Sequence, residues 1–137
     1  MLELKGMHAH YGLSHELQGI DLRVGKGEII GLFGRNGVGK TTVIKTIAGW
    51  VAPSSGQVLF EGERLDGVSA DRICRRGIGL VPEDRRIFPG LTVEENLRLG
   101  QMQCPSRQRA ESRRRLDEIY QRFPRLAERR RQMGTTL

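Results

Sequence analysis

The sequence lacks any apolar run long enough to cross a membrane. A membrane-spanning helix needs about 20 predominantly apolar residues, and no stretch of the 137 residues approaches that length. Residues 1–5 (MLELK) also lack the apolar core of a signal peptide. Charged residues make up 28% of the chain and hydrophobic residues 37%, which is a balance typical of soluble proteins. We therefore expect a cytoplasmic protein with at most one domain's worth of chain.

Cysteine is scarce, and its spacing disfavours two classes of site. The two cysteines, Cys74 and Cys104, form no C-x-x-C pair and have no histidine cluster nearby. Structural zinc sites usually show such spacing, and disulfide frameworks belong to small secreted chains. Free thiols are therefore favoured over a disulfide or a zinc site.

Acidic residues are scarce toward the end of the chain. Residues 101–137 hold ten arginines against four acidic residues, a local balance of +6, whereas the first hundred residues hold 13 basic and 12 acidic side chains. Such a segment can bind nucleic acid, lie against an anionic membrane surface or form a solvated helix face. We expect no nucleic-acid partner, because no aromatic interleaving accompanies the arginines.

The strongest motif present is G-x-x-x-x-G-K-T, spelled GRNGVGKT at residues 34–41. Its glycines let a loop curl so that consecutive backbone N–H groups point inward at phosphate oxygens. Lys40 is then expected to reach the β- and γ-phosphates, and the Thr41 hydroxyl to bind Mg²⁺. The positive end of a following helix adds to the attraction. The alternative is a glycine-rich turn that binds nothing.

The segments that flank the motif favour the phosphate-binding reading. Residues 28–33 (EIIGLF) form a short apolar run typical of a buried strand. Residues 40–48 predict a helix that places Val43, Ile44 and Ile47 on one face. Strand, glycine loop and helix is the order that a nucleotide-phosphate site requires.

The rest of the chain predicts an α/β protein in two parts with a turn-rich joint. Alternating or short apolar patterns predict further strands at 2–7, 17–24, 57–60 and 78–81. Helices are predicted at 70–76, 93–99, 107–122 and 126–133, the second of these opened by a capping box of Thr92 and Glu95. We assign residues 1–82 to a nucleotide-binding core, 83–91 to the joint and 92–137 to an arginine-rich helical part.

Four stretches together resemble the nucleotide-binding subunit of an ABC transporter. They are Tyr11-Gly12, GRNGVGKTT at 34–42, SSGQVLFEG at 54–62 and GLVPEDRRIFPGLTVEENL at 79–97. The last looks like the ATP-binding subunits of branched-chain amino acid importers. The resemblance implies a P-loop NTPase fold of the α/β class, truncated to about the N-terminal half of such a subunit. Antiparallel strands would lie at its start and part of the helical subdomain at its end.

The resemblance also implies ATP and Mg²⁺ as cofactors and names their binding residues. An aromatic residue ahead of the loop stacks on adenine in this family, and Tyr11 matches it, the alternative being an ordinary strand-end aromatic. The implied phosphate-binding residues are Gly34, Asn36, Gly37, Gly39, Lys40, Thr41 and Thr42. At the family's Q-loop position, which usually holds a glutamine that faces Mg²⁺ and the attacking water, this chain has Glu83. A carboxylate can also bind Mg²⁺, so Glu83 is a candidate metal ligand together with Thr41 of the loop. The candidate catalytic residues are Lys40 and Glu83. The alternative for Glu83 is a solvated loop carboxylate.

Partners follow from the same resemblance. It implies a second ATP-binding subunit, identical or different, and transmembrane permease subunits that contact residues 83–90. The protein would then lie peripherally on the inner face of the cell membrane.

Several family elements are not found in the 137 residues. These are the signature motif, the acidic strand end that supplies the catalytic glutamate, and the switch histidine. We therefore expect the 137 residues alone to bind nucleotide weakly without measurable turnover, and to show unpaired strand edges and marginal stability.

The alternatives to a branched-chain amino acid importer subunit are a urea or other amide or amino acid importer subunit, and a nucleotide-binding fragment without turnover. A P-loop kinase or GTPase is disfavoured, because no N-K-x-D motif is present.

Overall fold

The computed structural model describes residues 1–11, 14–35, 37–84, 86–101 and 109–136. They form two units, Met1–Leu80 and Val81–Leu137. The first contains the strands and the glycine loop, and the second is helical.

The first unit is organised on a four-stranded antiparallel sheet. Its strands are β1 (Leu2–Tyr11), β2 (Ser14–Val24), β3 (Ser55–Phe60) and β4 (Glu63–Arg64), in the order β2-β1-β3-β4. The strands predicted at 2–7, 17–24 and 57–60 are confirmed, and each is longer than predicted.

A bulge in β1 explains why its core residues do not alternate regularly. Leu4 pairs with Leu22 and Met7 with Ile20, so three steps along β1 match two along β2. Gly6 lies in this interval with φ of 51°, and its N–H donates to Asp21 Oδ1 at 2.8 Å. Because the bulge adds a residue, Leu4 and Met7 both reach the core, where each is at most 2% exposed.

Two helices cover the buried face of this sheet. They are α1 (Lys40–Ile47) and α2 (Ala70–Arg75). Val43 of α1 and Ile73 of α2 join the sheet residues in one core cluster. The predicted helix at 40–48 is confirmed, but Ile44, predicted on one face with Val43 and Ile47, is not part of the core. Its side chain is 44% exposed, since the buried face of α1 is carried by Val43 and Thr46.

The strands predicted at 28–33 and 78–81 are not formed. Both stretches lack regular secondary structure. Ile29 and Phe33 are 98% and 92% exposed, and Val81 is 93% exposed. The physical reason is pairing: a strand needs a neighbour for its backbone N–H and C=O groups, and the described residues place no strand beside either stretch.

In the second unit, the described residues form three helices and a short 3-10 turn. They are α3 (Val93–Leu99), α4 (Arg109–Arg122), α5 (Pro124–Glu128) and a 3-10 turn at Gly134–Thr136. The helix predicted at 126–133 was misplaced, because Pro124 fits the first helical turn and starts α5 there. The predicted start of α4 at Arg107 lies outside the described residues. Among the described helices, none is both long and apolar enough to span a bilayer.

The capping box at the start of α3 is confirmed. The Glu95 N–H donates to the Thr92 hydroxyl at 3.2 Å, and the Thr92 N–H donates to Glu95 Oε2 at 2.8 Å. Two donors that a helix start would otherwise leave without partners are thus satisfied. The pKa of the Glu95 carboxyl is lowered, mostly by the Thr92 N–H and then by the Thr92 hydroxyl, which donates to Glu95 Oε2 at 2.8 Å.

Candidate nucleotide-phosphate site

The glycine loop runs from Gly34 to Gly39 and ends where α1 begins. Gly37 and Gly39 have φ of 82° and 90°, in the left-handed region that glycine adopts without strain. At Gly34, a side chain would press on the loop itself, since an added Cβ would lie 2.9 Å from Val38 Cγ2. The local path of the loop therefore needs glycine at these positions. Asn36 lies outside the described residues.

The start of α1 is arranged to attract an anion. Gly39 is its N-cap and has no side chain to bond the first-turn N–H groups. Those N–H groups have no partner within a helix. No acidic residue lies in the first turn of α1 to repel an anion. The N–H groups and the positive end of the helix thus face the loop as a set of donors suited to phosphate.

Lys40 places its ammonium group against the loop backbone. Its Nζ donates to the carbonyl oxygens of Gly34 and Arg35, both at 2.6 Å. An ammonium has three N–H donors, so one more is available for a phosphate oxygen. The Arg35 carbonyl was not predicted as part of the site, since every residue has a carbonyl and nothing in the sequence marks this one.

The two threonines after Lys40 differ in accessibility. Thr41 is exposed, whereas Thr42 is buried at 8% exposure. Among the described residues, no group of three or more His, Cys, Asp or Glu side chains could hold a metal. A single exposed hydroxyl still fits Mg²⁺, because this ion keeps several waters and takes other ligands from the nucleotide's phosphates.

Two further predicted site residues, Tyr11 and Glu83, stay predictions. Tyr11 ends β1, and its side chain lies outside what the structure describes. Glu83 belongs to the second unit and is exposed. Close to it, Asp84 and Arg86 form an ion pair of 2.9 Å. The residues that the structure does bring together are Gly34, Gly37, Gly39, Lys40 and Thr41.

Comparison with known proteins identifies the family of this chain. A family model described as "ABC transporter" matches residues 17–137. The chain belongs to the ABC transporter family. The resemblance drawn from the motifs is therefore confirmed.

Two relatives of this chain carry names that give different transported solutes. The branched-chain amino acid transport ATP-binding protein BraG of Pseudomonas aeruginosa is 38% identical over 137 residues, all of this chain and 58% of its own length. The Fe(3+) ions import ATP-binding protein FbpC of Mesorhizobium japonicum is 44% identical over 100 residues, 72% of this chain and 28% of its own. The chain thus spans less than two thirds of either relative.

Solved structures of ABC ATP-binding cassettes share the fold. The ATP-binding subunit of an ABC transporter aligns with a TM-score of 0.85 at 33% identity, over 97% of this chain and 54% of its own. A dimeric cassette in a post-hydrolysis state, bound to ADP and Pi, aligns with a TM-score of 0.80 at 23% identity, over 100% and 63%. The predicted P-loop NTPase fold of the ABC type, here a mixed α/β arrangement with antiparallel strands, is confirmed.

Proposed function

We propose that this ABC chain is the ATP-binding part of an importer of branched-chain amino acids. The observation that carries the proposal is the 38% identity to BraG over all 137 residues. The exposed glycine loop with Lys40 at its mouth supplies the chemistry that such a part needs.

In this proposal the glycine loop holds the phosphates of ATP. Backbone N–H groups of the loop and the first turn of α1 donate to phosphate oxygens, and Lys40 adds its positive charge. Mg²⁺, when bound, neutralises phosphate charge, and the Thr41 hydroxyl is the ligand that this unit offers it. The loop residues proposed for this role are Gly34, Asn36, Gly37 and Gly39, with Thr42 in the first turn of the helix that follows them.

Two further residues complete the proposed site. Tyr11 stacks on the adenine base, since an aromatic ring can stack on the flat face of a base. Glu83 takes the place of the Q-loop glutamine as an oxygen ligand near Mg²⁺ and the attacking water. With no signature motif and no catalytic glutamate in residues 1–137, the polypeptide of these residues alone binds nucleotide weakly and does not turn over.

The proposed partners are permease subunits and a second ATP-binding subunit. Residues 83–90 contact the permease, and the exposure of Ile87 and Phe88, at 44% and 58%, provides apolar surface for this contact. The dimeric cassette of similar fold is one example of pairing between ATP-binding subunits. The proposed location is the cytoplasmic face of the membrane, held there by the permease.

A solute other than a branched-chain amino acid is the second candidate. FbpC, named for Fe(3+) ions, is more identical to this chain over a shorter stretch, and urea or amide importers have similar motifs. Uptake assays with labelled leucine, urea and Fe(3+), in cells that express the full transporter, separate these cases. Leucine uptake that is lost on Lys40→Ala supports the proposal, and uptake of another solute alone contradicts it.

The nucleotide specificity of the loop needs its own experiment. The proposal expects ATP to displace a bound fluorescent ATP analogue from the full subunit far better than GTP does. Equal displacement by both nucleotides would count against adenine stacking on Tyr11.

A further inference from the structure

One amide side chain in the second unit forms hydrogen bonds to several backbone groups of the loop that precedes its helix. Asn96, in the middle of α3, accepts the Phe88 N–H at 2.8 Å through Oδ1. Its Nδ2 donates to the carbonyl oxygens of Phe88, Leu91 and Thr92 at 3.0, 3.2 and 2.9 Å. Both backbone groups of Phe88 are therefore bonded to one side chain, much as a neighbouring strand would bond them.

A second segment holds the same loop from its other end. The Gly134 N–H donates to the Leu91 carbonyl at 2.8 Å, and Thr92 and Met133 form an antiparallel bridge. A side chain at position 134 would be crowded, because an added Cβ would lie 3.0 Å from the Phe88 carbonyl oxygen and 3.4 Å from that of Leu91. The loop of residues 86 to 92, called the 86–92 segment below, is thus held through the backbone groups of Phe88, Leu91 and Thr92.

The side chains of this segment are left facing outward. Ile87 is 44% and Phe88 58% exposed. Both line a largely apolar cavity of about 410 Å³, together with Leu97, Leu99 and Leu126 of the same unit. Exposing an aromatic side chain and an apolar cavity to water is energetically unfavourable. The hydrogen-bonded backbone of Phe88 therefore indicates that the position of this side chain serves a function.

We propose that Asn96 is a positioning residue that presets Phe88 for contact with the permease. The inference rests on the proposed function, because the partner is the permease subunit assigned there to residues 83–90. Phe88 makes the contact itself, and Asn96 acts only through it. Holding the loop before binding lowers the entropy lost on association.

The test compares binding of the full-length ATP-binding subunit to inverted membrane vesicles that contain the permease subunits. Vesicles from cells without these subunits give the blank. Asn96→Ala is expected to bind about tenfold more weakly, since it loses several hydrogen bonds of modest strength that fix the loop. Hydrogen exchange at the Phe88 N–H should accelerate, while the affinity for nucleotide stays unchanged.

Thr92→Ala is the matched control for a merely structural effect. It removes the capping hydroxyl of α3 but leaves the backbone carbonyl that Asn96 bonds, so vesicle binding should remain within about twofold. Asn96→Asp keeps the acceptor for the Phe88 N–H but loses both N–H donors of Nδ2, and it should also weaken binding. In the Phe88→Ala background, Asn96→Ala should add no further loss.

The outcomes separate the two proposals. If the unmodified subunit does not bind the permease vesicles above the blank, the proposed function fails, and the role of Asn96 fails with it. If the unmodified subunit binds and Asn96→Ala binds equally well, the role of Asn96 alone is overturned. Equal losses for Thr92→Ala and Asn96→Ala would also overturn it, because loss of stability would then explain both.

Discussion

The glycine loop and the 86–92 segment are both exposed, but they are held in opposite ways. The glycine loop keeps its shape through glycine backbone angles and leaves the first-turn donors of α1 without a capping side chain. In the 86–92 segment, backbone groups are bonded to Asn96, Glu95 and Gly134, and apolar side chains face outward. The difference fits the ligands proposed for the two regions: a phosphate needs open N–H donors, whereas an apolar protein partner needs side chains on a fixed backbone.

The largest expected effect tests the electrostatic half of this comparison. Lys40→Ala should weaken nucleotide binding about 10- to 100-fold, since a hydrogen bond to a charged group contributes about 1.5–3 kcal/mol. Binding of a fluorescent ATP analogue to the full subunit measures this. Lys26→Ala, which removes an exposed lysine in the turn after β2, is the control and should change the affinity less than twofold. Equal losses for both variants would show only an effect of net charge.

A glycine substitution tests whether the loop depends on its backbone angles. Gly39→Ala must hold an L-residue at φ of 90°, which costs about 1–2 kcal/mol, and nucleotide affinity should fall about tenfold. Gly79→Ala is the matched control, because Gly79 has no positive φ and open space around its Cα. Isothermal titration with ATP reports both. An unchanged affinity for Gly39→Ala would mean that the loop readily adopts another path.

The third prediction concerns the cap of α3 and is smaller. Thr92→Ala should lower the free energy of unfolding of the full subunit by about 1 kcal/mol, as for other N-cap threonines. Denaturant unfolding measures this, with Thr135→Ala at an exposed position as the control. An unchanged free energy of unfolding would show that the Thr92 cap does not stabilise α3.

The same cap predicts a pH effect with a definite sign. The folded pKa of Glu95 is lowered, first by the Thr92 N–H and then by its hydroxyl. The carboxylate thus adds stability above the pKa of the unfolded chain, near 4.5, and that stability is lost as pH falls through the lower folded pKa. Thr92→Ala should reduce the loss of stability as the pH falls below this unfolded value, because it removes the hydroxyl donor and keeps the N–H. An identical acid profile for both proteins contradicts this.

The smallest effect is expected away from both loops. Asp66 accepts from Arg64 and from the Val58 N–H, and these bonds lower its pKa, with Arg64 the largest cause. Its stabilisation is therefore present above the unfolded value near 3.8 and lost below it. Asp66→Asn should flatten the acid limb of thermal unfolding slightly and leave nucleotide binding unchanged. A change in nucleotide affinity would show that β3 and β4 influence the loop.

Local features of this chain could be predicted from sequence, and non-local ones could not. The glycine loop, α1 and the Thr92–Glu95 cap depend on residues a few positions apart, and each is present. Residues 28–33 looked like a buried strand, but a strand requires partners that the sequence pattern does not specify. The bonds of Asn96 were missed for the same reason, because an asparagine inside a helix carries no signal of the loop it will hold.

The Lys40 contacts affect the rate and the free energy of the proposed nucleotide binding. A lysine side chain that is free in solution loses up to about 2 kcal/mol of rotamer entropy when it is immobilised. Here the Lys40 side chain is already immobilised by hydrogen bonds to the Gly34 and Arg35 carbonyl oxygens, each 2.6 Å from Nζ. This entropy is therefore lost before a nucleotide binds. In the proposed binding of ATP, an arriving phosphate therefore meets an ammonium group whose position is already set, and binding needs only a small adjustment of existing hydrogen bonds.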